Sequence, residues 1–213
     1  MTAKFVQAKS ALDMSDFTAR QGEVLDAALA LLVETGDGLT MAAVTRAASC
    51  SKETLYNWFG DREGLLVAIV RWQAAKVRMP DVDLEHLERT RLIRSIEEFG
   101  ASLLGVLTGE ISVALNRLAI AHGGNSGSNL GKIVLENGRF AMGRQLKPIL
   151  EAGKRAGLLK FEDAEPAFMV FFGLLVRDSQ IRLLLGDDIT LSAQSVKSRA
   201  RSATKQFMEL YAT

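Results

Sequence analysis

Apolar residues recur along this chain at three- and four-residue steps, and the breaks between these runs mark out its elements. Val24, Leu25, Ala28, Leu31 and Leu32 form the first stripe, the spacing of one buried helix face. Thr18 and Gln21 stand ahead of it as a capping-box pair, and Gly36 is placed to end the helix in a left-handed C-cap. Thr40 can cap a short helix over 41–48 and Ser51 another over 51–59, with Ser49 and Cys50 as the tight connection between them. Gly60 breaks that helix. Asp61 caps a fourth, which carries Leu65, Leu66, Ile69 and Val70 toward Met79, and Pro80 ends it.

Beyond Pro80 the period remains helical. A long helix is expected over 84–107, with Leu87, Ile93, Ile96, Phe99, Leu103 and Leu107 among its apolar positions, and another over 111–121. HGGNSGSNLG (122–131) is a loop by composition. Helical spacing resumes over 130–156 with Pro148 as a kink, then over the very apolar 164–185, then over 191–212. The expectation is an all-α chain of about nine helices with no strand. It divides into an arm (1–17), a three-helix unit (18–62), a connecting helix (63–80) and a C-terminal bundle (81–213).

The two short helices, braced by the longer one before them, have the form of a helix-turn-helix. With Leu55 and Phe59 turned inward, Lys52, Glu53, Thr54, Tyr56 and Asn57 are left around the solvent side. These are hydrogen-bonding groups at the N-terminal half of a helix, where base edges and phosphates would be met. Spacing alone leaves open a small surface helix whose aromatics merely cover its neighbours.

LTMAAVTRAASCSKETLYNWFGDREGLL resembles the N-terminal DNA-binding region of the TetR family of bacterial transcriptional regulators. Thr40, Val44, Ala48, Ser51, Thr54, Leu55, Tyr56, Phe59, Glu63 and Leu66 stand in the family's register, and the match runs from residue 18 to about 70. The resemblance implies that Lys52, Glu53, Thr54 and Asn57 read bases or nearby phosphates, behind the cap Ser51. It implies that Thr40, Tyr56, Trp58 and Arg62 face phosphate. Three departures stand out: Ser49-Cys50 replaces the usual Gly-Val of the turn, Arg62 replaces Lys, and Trp58 replaces Tyr or His.

The C-terminal part is similar to the ligand-binding and dimerisation domain of such regulators, and FFGLLVRDSQIRLLLGD is the run most like an AefR-like subgroup. That likeness implies a homodimer on a palindromic double-stranded DNA operator, answering to a small hydrophobic effector and needing no cofactor or metal. The expected pocket lies between the helices at 84–107, 130–156 and 164–185. Phe99, Leu103, Phe140, Phe168 and Phe172 are its walls, and Asn116, His122 and Gln145 its hydrogen-bonding groups. The expected dimer seam comprises Phe171 and Leu174 with Val196, Ala200, Ala203, Phe207 and Leu210, which suit packing across a two-fold axis; the alternative is that both faces belong to the core of one protomer.

Composition adds limits rather than a direction. Net charge is +1, and residues 1–80 hold nine Lys/Arg against nine Asp/Glu, so DNA binding rests on placement, not bulk charge. No apolar run reaches membrane-spanning length and the N-terminus lacks a signal-peptide core, so the expected location is the cytoplasm. The single Cys50 excludes an intrachain disulfide; beside Lys52 it is either a thiol sensor or a spacer in the turn. His86 and His122 have no clustered ligands. SGSNLGKI lacks the spacing of a phosphate loop. Two other classes remain: a DNA-binding protein without an effector, and a helical enzyme on a small apolar substrate. The enzyme has no nucleophile–base pair, metal cluster or carboxylate pair to work with.

Overall fold

Thr18 and Gln21 cap each other's backbone: the Thr18 N–H donates to Gln21 Oε1 at 2.8 Å and the Gln21 N–H to Thr18 Oγ1 at 3.2 Å. They start α1 (Ala19–Thr35), the first helix of a computed structural model that describes residues 16–35, 39–121 and 129–213. Gly36, His122 and most of the arm and of the 122–131 loop lie outside the described residues. α2 (Met41–Ala47) begins at Thr40, α3 (Lys52–Phe59) at Ser51 and α4 (Arg62–Ala74) at Asp61. Each cap's side-chain oxygen accepts a backbone N–H of the first turn. Gly60 ends α3 at φ 74°, a conformation that favours glycine.

Two cores follow. In the first, Val24, Leu25, Leu29 and Leu32 of α1 meet Val44, Leu55, Phe59, Leu65 and Ile69. α6 (Glu110–Ala121) and α7 (Leu130–Val134) add Leu115, Leu118, Leu130 and Ile133 to this same core. The boundary expected near residue 80 is therefore not a packing boundary. α1 and α4 approach closely at Gly22, where a Cβ would stand 2.7 Å from the Trp72 ring. Trp72 Nε1 donates to Asp26 at 2.8 Å, and Phe17 meets the indole edge-on at 5.7 Å.

The second core is built from α5 (Arg89–Leu107), α8 (Phe140–Arg155), α9 (Ala164–Val176) and α11 (Ala193–Tyr211). Phe99, Phe168, Phe171 and Phe207 are its largest fully buried side chains. α11 lies along α5 and α9.

Expected and observed helices differ where local hydrogen bonds compete with the apolar period. Helix 84–107 begins only at Arg89, because the Asp83 carboxylate accepts the N–H groups of Glu85 and His86 at 2.9 and 3.2 Å. The run 164–185 breaks at Arg177, which takes φ 52°, and resumes as α10 (Ser179–Leu184). There Ser179 is buried and bonded by Arg199, and Arg117 donates to the carbonyls of Leu183 and Leu184. The helix at 130–156 is interrupted at a π turn, Leu135–Arg139, where the Phe140 N–H reaches back to the Leu135 carbonyl. Pro148 stands within α8. Among the described residues these two interruptions make eleven α-helices of the expected nine, and no strand occurs.

The expected dimer seam is corrected by burial. Phe171, Ala200, Ala203 and Phe207 are no more than 1% exposed in the single protomer, packed against α5 and one another. Phe171 and Phe207 meet edge-to-face at 5.7 Å. Nothing of them is left for a partner. Leu174 and Val196 are half-buried, and only Leu210, 63% exposed, stands free. The apolar side chains left in solvent on α9 to α11 are Met169, Ile181, Leu185 and Leu210.

Phe207→Ala is accordingly expected to lower protomer stability by about 3–5 kcal/mol, the cost of a large core cavity. Urea unfolding at several protein concentrations checks this. A loss that vanished at high concentration would return Phe207 to a partner interface.

Candidate DNA interface and effector cavity

α3 buries Leu55 and Phe59 in the first core and lays part of Trp58 against it, so its remaining faces are available. Ser51 Oγ accepts the Thr54 N–H at 3.0 Å, and the two hydroxyls lie 2.8 Å apart. Lys52, Glu53 and Asn57 are exposed and engage no other described side chain. Tyr56 is 51% exposed, with its ring outward. Trp58 is half-buried and meets Phe59 edge-on at 6.1 Å, so part of this indole covers the core. Thr40 Oγ1 accepts the Ala43 N–H at 3.1 Å. Arg62 is exposed, but its Nε donates to the Leu39 carbonyl at 3.2 Å, which ties the start of α4 to the approach to α2. The nine expected DNA-facing residues thus lie at the start of α2, on α3 with its cap, and at the first residue of α4.

The turn itself is a Schellman motif. The Cys50 N–H donates to the Thr45 carbonyl at 3.1 Å and the Ser49 N–H to that of Arg46 at 3.4 Å. Ser49 occupies the left-handed position at φ 49°, where glycine carries no Cβ penalty. Arg20 of α1 holds the strained turn, donating from Nη2 to the carbonyls of Ala48 at 2.9 Å and Ser49 at 3.3 Å. Glu23 fixes that guanidinium at 2.6 Å.

A cavity of about 200 Å³ lies between α4, α5, α6, the π turn and the α9–α10 end of the bundle. Val70, Gln73 and Ala74 bring α4 to its wall, Asn116 comes from α6, Arg139 from the π turn and Phe172 from α9. Of the expected pocket residues, Asn116 and Phe172 line it. Phe99, Leu103 and Phe168 are fully buried in the second core behind it, Gln145 is buried in α8, and Phe140 is 45% exposed on the outside. Asn116 Nδ2 donates to the Ser112 carbonyl at 2.7 Å, and Gln73 Nε2 to Ser112 Oγ at 3.2 Å.

Arg139 lies over the Phe172 ring at 4.0 Å and the Phe168 ring at 4.9 Å. Burial pulls its pKa below the ordinary arginine value, and the charge of Glu165 offsets part of that. The guanidinium stays protonated. Sequence reasoning missed Gln73, Ser112 and Arg139, yet each leaves a periodic signal. Gln73 continues the buried series Leu65, Ile69; Ser112 stands one turn before Asn116; and Arg139 lies between Leu135 and Met142. Among the described residues no cluster of His, Cys, Asp and Glu could hold a metal ion, and no single helix is long and apolar enough to cross a membrane.

A helix-turn-helix with an open polar face, joined to a helical bundle with a cavity, is the architecture of a DNA-binding regulator. Residues 24–69 match the model of bacterial regulatory proteins of the tetR family, and residues 94–213 that of the C-terminal domain of AefR-like transcriptional repressors. The crystal structure of a TetR transcriptional regulator from Agrobacterium tumefaciens is 44% identical, with 92% of this chain and 96% of that one covered at a TM-score of 0.80. The Flavonoid-responsive Regulator FrrA is 25% identical over 91% of this chain and 97% of its own, at 0.66. A TetR family regulator from Pseudomonas syringae shares the fold at 21% identity, covering 92% and 98% at 0.62. No curated protein matches. The chain belongs to the TetR family of bacterial transcriptional regulators. Such regulators bind operator DNA as dimers, are typically ligand-responsive repressors, and are generally not enzymes.

Ser49→Gly is expected to raise unfolding free energy by about 0.5–1 kcal/mol, by relieving the left-handed serine. Chemical denaturation measures it. A loss of stability would mean that the serine side chain, not the backbone, holds the turn.

Proposed function

We propose that this chain is a non-enzymatic, homodimeric repressor acting in the cytoplasm, which leaves a palindromic operator when a small, largely apolar effector fills the cavity. The observation that carries the DNA-binding half is the outward face of α3. Lys52, Glu53 and Asn57 have no competing partner, and Tyr56 is exposed beside them. In this reading Lys52, Glu53, Thr54 and Asn57 meet base edges. Thr40, Ser51, Tyr56, Trp58 and Arg62 meet the backbone, where the amino end of α3 adds a modest attraction for phosphate. One such helix reads only a few base pairs, so two copies a DNA turn apart supply the specificity.

The effector half is supported by what α4 touches. Its first turn abuts α3 and the loop before α2, while Val70, Gln73 and Ala74 line the cavity three turns later. A ligand there can act only through different affinities for two arrangements of α4, and operator DNA must then weaken ligand binding by the same factor. The partner surface is assigned to the outer side of α9–α11 around Leu174, Val196 and Leu210, in place of the buried seam residues.

An operator selected from a randomised duplex pool provides the assay. Lys52→Ala and Asn57→Ala are expected to cost about 1–3 kcal/mol each and to relax sequence preference. Tyr56→Ala should weaken all sequences alike. Arg62→Ala should do the same and reduce the salt dependence by about one phosphate contact. Unchanged affinity in both the Lys52 and Tyr56 variants would remove α3 from the interface.

A further inference from the structure

The cavity holds a positive charge that the protein itself leaves without an anion. Arg139 projects from the π turn onto the cavity wall, stacked on Phe172 and Phe168, and no carboxylate among the described residues lies within ion-pair distance of it. The field of Glu165 reaches Arg139, but its carboxylate is held by Lys147 Nζ at 2.6 Å. The aromatic faces below orient the guanidinium and leave its N–H fork unspent. A planar, fixed fork of this kind matches a carboxylate with two parallel hydrogen bonds.

A second group points to the same occupant. Gln73 is 7% exposed and lines the cavity; its Nε2 is spent on Ser112, while its Oε1 is buried with no hydrogen-bond partner. A buried acceptor in that state costs stability unless a donor arrives. Around these two groups the wall is apolar, with Val70, Leu107, Leu115 and Met142 among its residues. The volume of about 200 Å³ is well above the roughly 10–15 Å³ that one water requires.

We infer that the cavity takes an amphipathic acid: a small molecule with an apolar body whose carboxylate pairs with Arg139, and whose hydroxyl or N–H, where it has one, donates to Gln73 Oε1. This rests on reading the cavity as the effector site and names the chemical class of that effector. It also explains why a costly cation stands on an apolar wall: the anion restores in the bound state the partner that burial removed.

Matched pairs separate charge from shape. Octanoate, cinnamate and para-hydroxycinnamate, each against its methyl ester, are titrated calorimetrically into the full-length dimer and tested for release of the selected duplex. At least one acid should bind about tenfold or more tightly than its ester, the factor expected of a charge-assisted bond. Arg139→Gln should abolish that preference, lowering acid affinity far more than ester affinity. Arg139→Lys, which keeps the charge but not the planar fork, should retain part of the preference and guards against a folding defect in the first variant. Gln73→Met should erase any advantage of para-hydroxycinnamate over cinnamate. Esters that bind as tightly as acids and still release DNA would overturn the acid while leaving the effector site standing. An acid whose affinity is indifferent to Arg139→Gln would do the same. If no member of any pair binds, both the acid and the effector-site reading fall.

Discussion

Helix α4 is buried on nearly every side. Leu65, Leu66, Ala68, Ile69, Val70, Trp72, Gln73 and Ala74 are all covered, yet the helix belongs to no single layer. Its earlier residues complete the core of the helix-turn-helix, Ala74 and, just beyond the helix, Val77 enter the core of the C-terminal bundle, and Val70, Gln73 and Ala74 face the cavity. Close-packed interiors do not deform smoothly. A helix gripped in this way shifts as a body or not at all. The Trp72 indole against Gly22, hydrogen-bonded to Asp26, joins it firmly to α1. α1 in turn holds the strained turn of the reading unit through Arg20.

The cavity interrupts that grip on one side only. Along α4 it replaces packed neighbours with the Gln73–Ser112 contact and open space, so this is where the helix has room to settle differently. Gln73, Ser112, Asn116 and Arg139 place polar groups at that gap. They cost stability while the cavity is empty, and a ligand that satisfies them favours whichever arrangement of α4 lets it do so. The π turn serves the same end, since its widened backbone brings Arg139 to the cavity wall between two regular helices.

Most of the helices were legible because caps and apolar periods agreed, as at Thr18, Ser51 and Asp61 with their stripes. Legibility failed where a single buried polar contact outweighed continuity. The hydrogen bonds to Ser179 and to the end of α10 split a run that reads as one apolar helix. The outward face of α3 could be named because a short helix with two anchors, Leu55 and Phe59, leaves little choice of face. The cavity was harder. Large aromatic residues were natural candidates for its walls, but Phe99 and Phe168 are fully buried in the core, whereas smaller polar residues on apolar stripes, Gln73 and Arg139, mark the opening. The dimer seam misled for a related reason. A small-residue stripe on α11 fits a helix of the same protomer, α5, as well as one of a partner.

If α4 transmits occupancy of the cavity to the reading heads, filling the cavity must change the distance between the two α3 helices of a dimer. Gly138 lines the cavity, and a Cβ there would meet nothing nearer than Val70 Cγ1 at 3.9 Å, so Gly138→Leu is a built-in occupant. Spin labels at Glu34→Cys, an exposed position of α1 outside the expected DNA-facing residues, in a Cys50→Ser background report the separation of the heads by pulsed electron resonance. On operator DNA the labels should give the one separation at which the two α3 helices lie about one turn of the duplex apart, about 34–36 Å, or a multiple of it. Without DNA, Gly138→Leu should move the distance distribution away from that operator-bound value and weaken operator binding. Identical distributions with the cavity empty and filled would contradict the coupling.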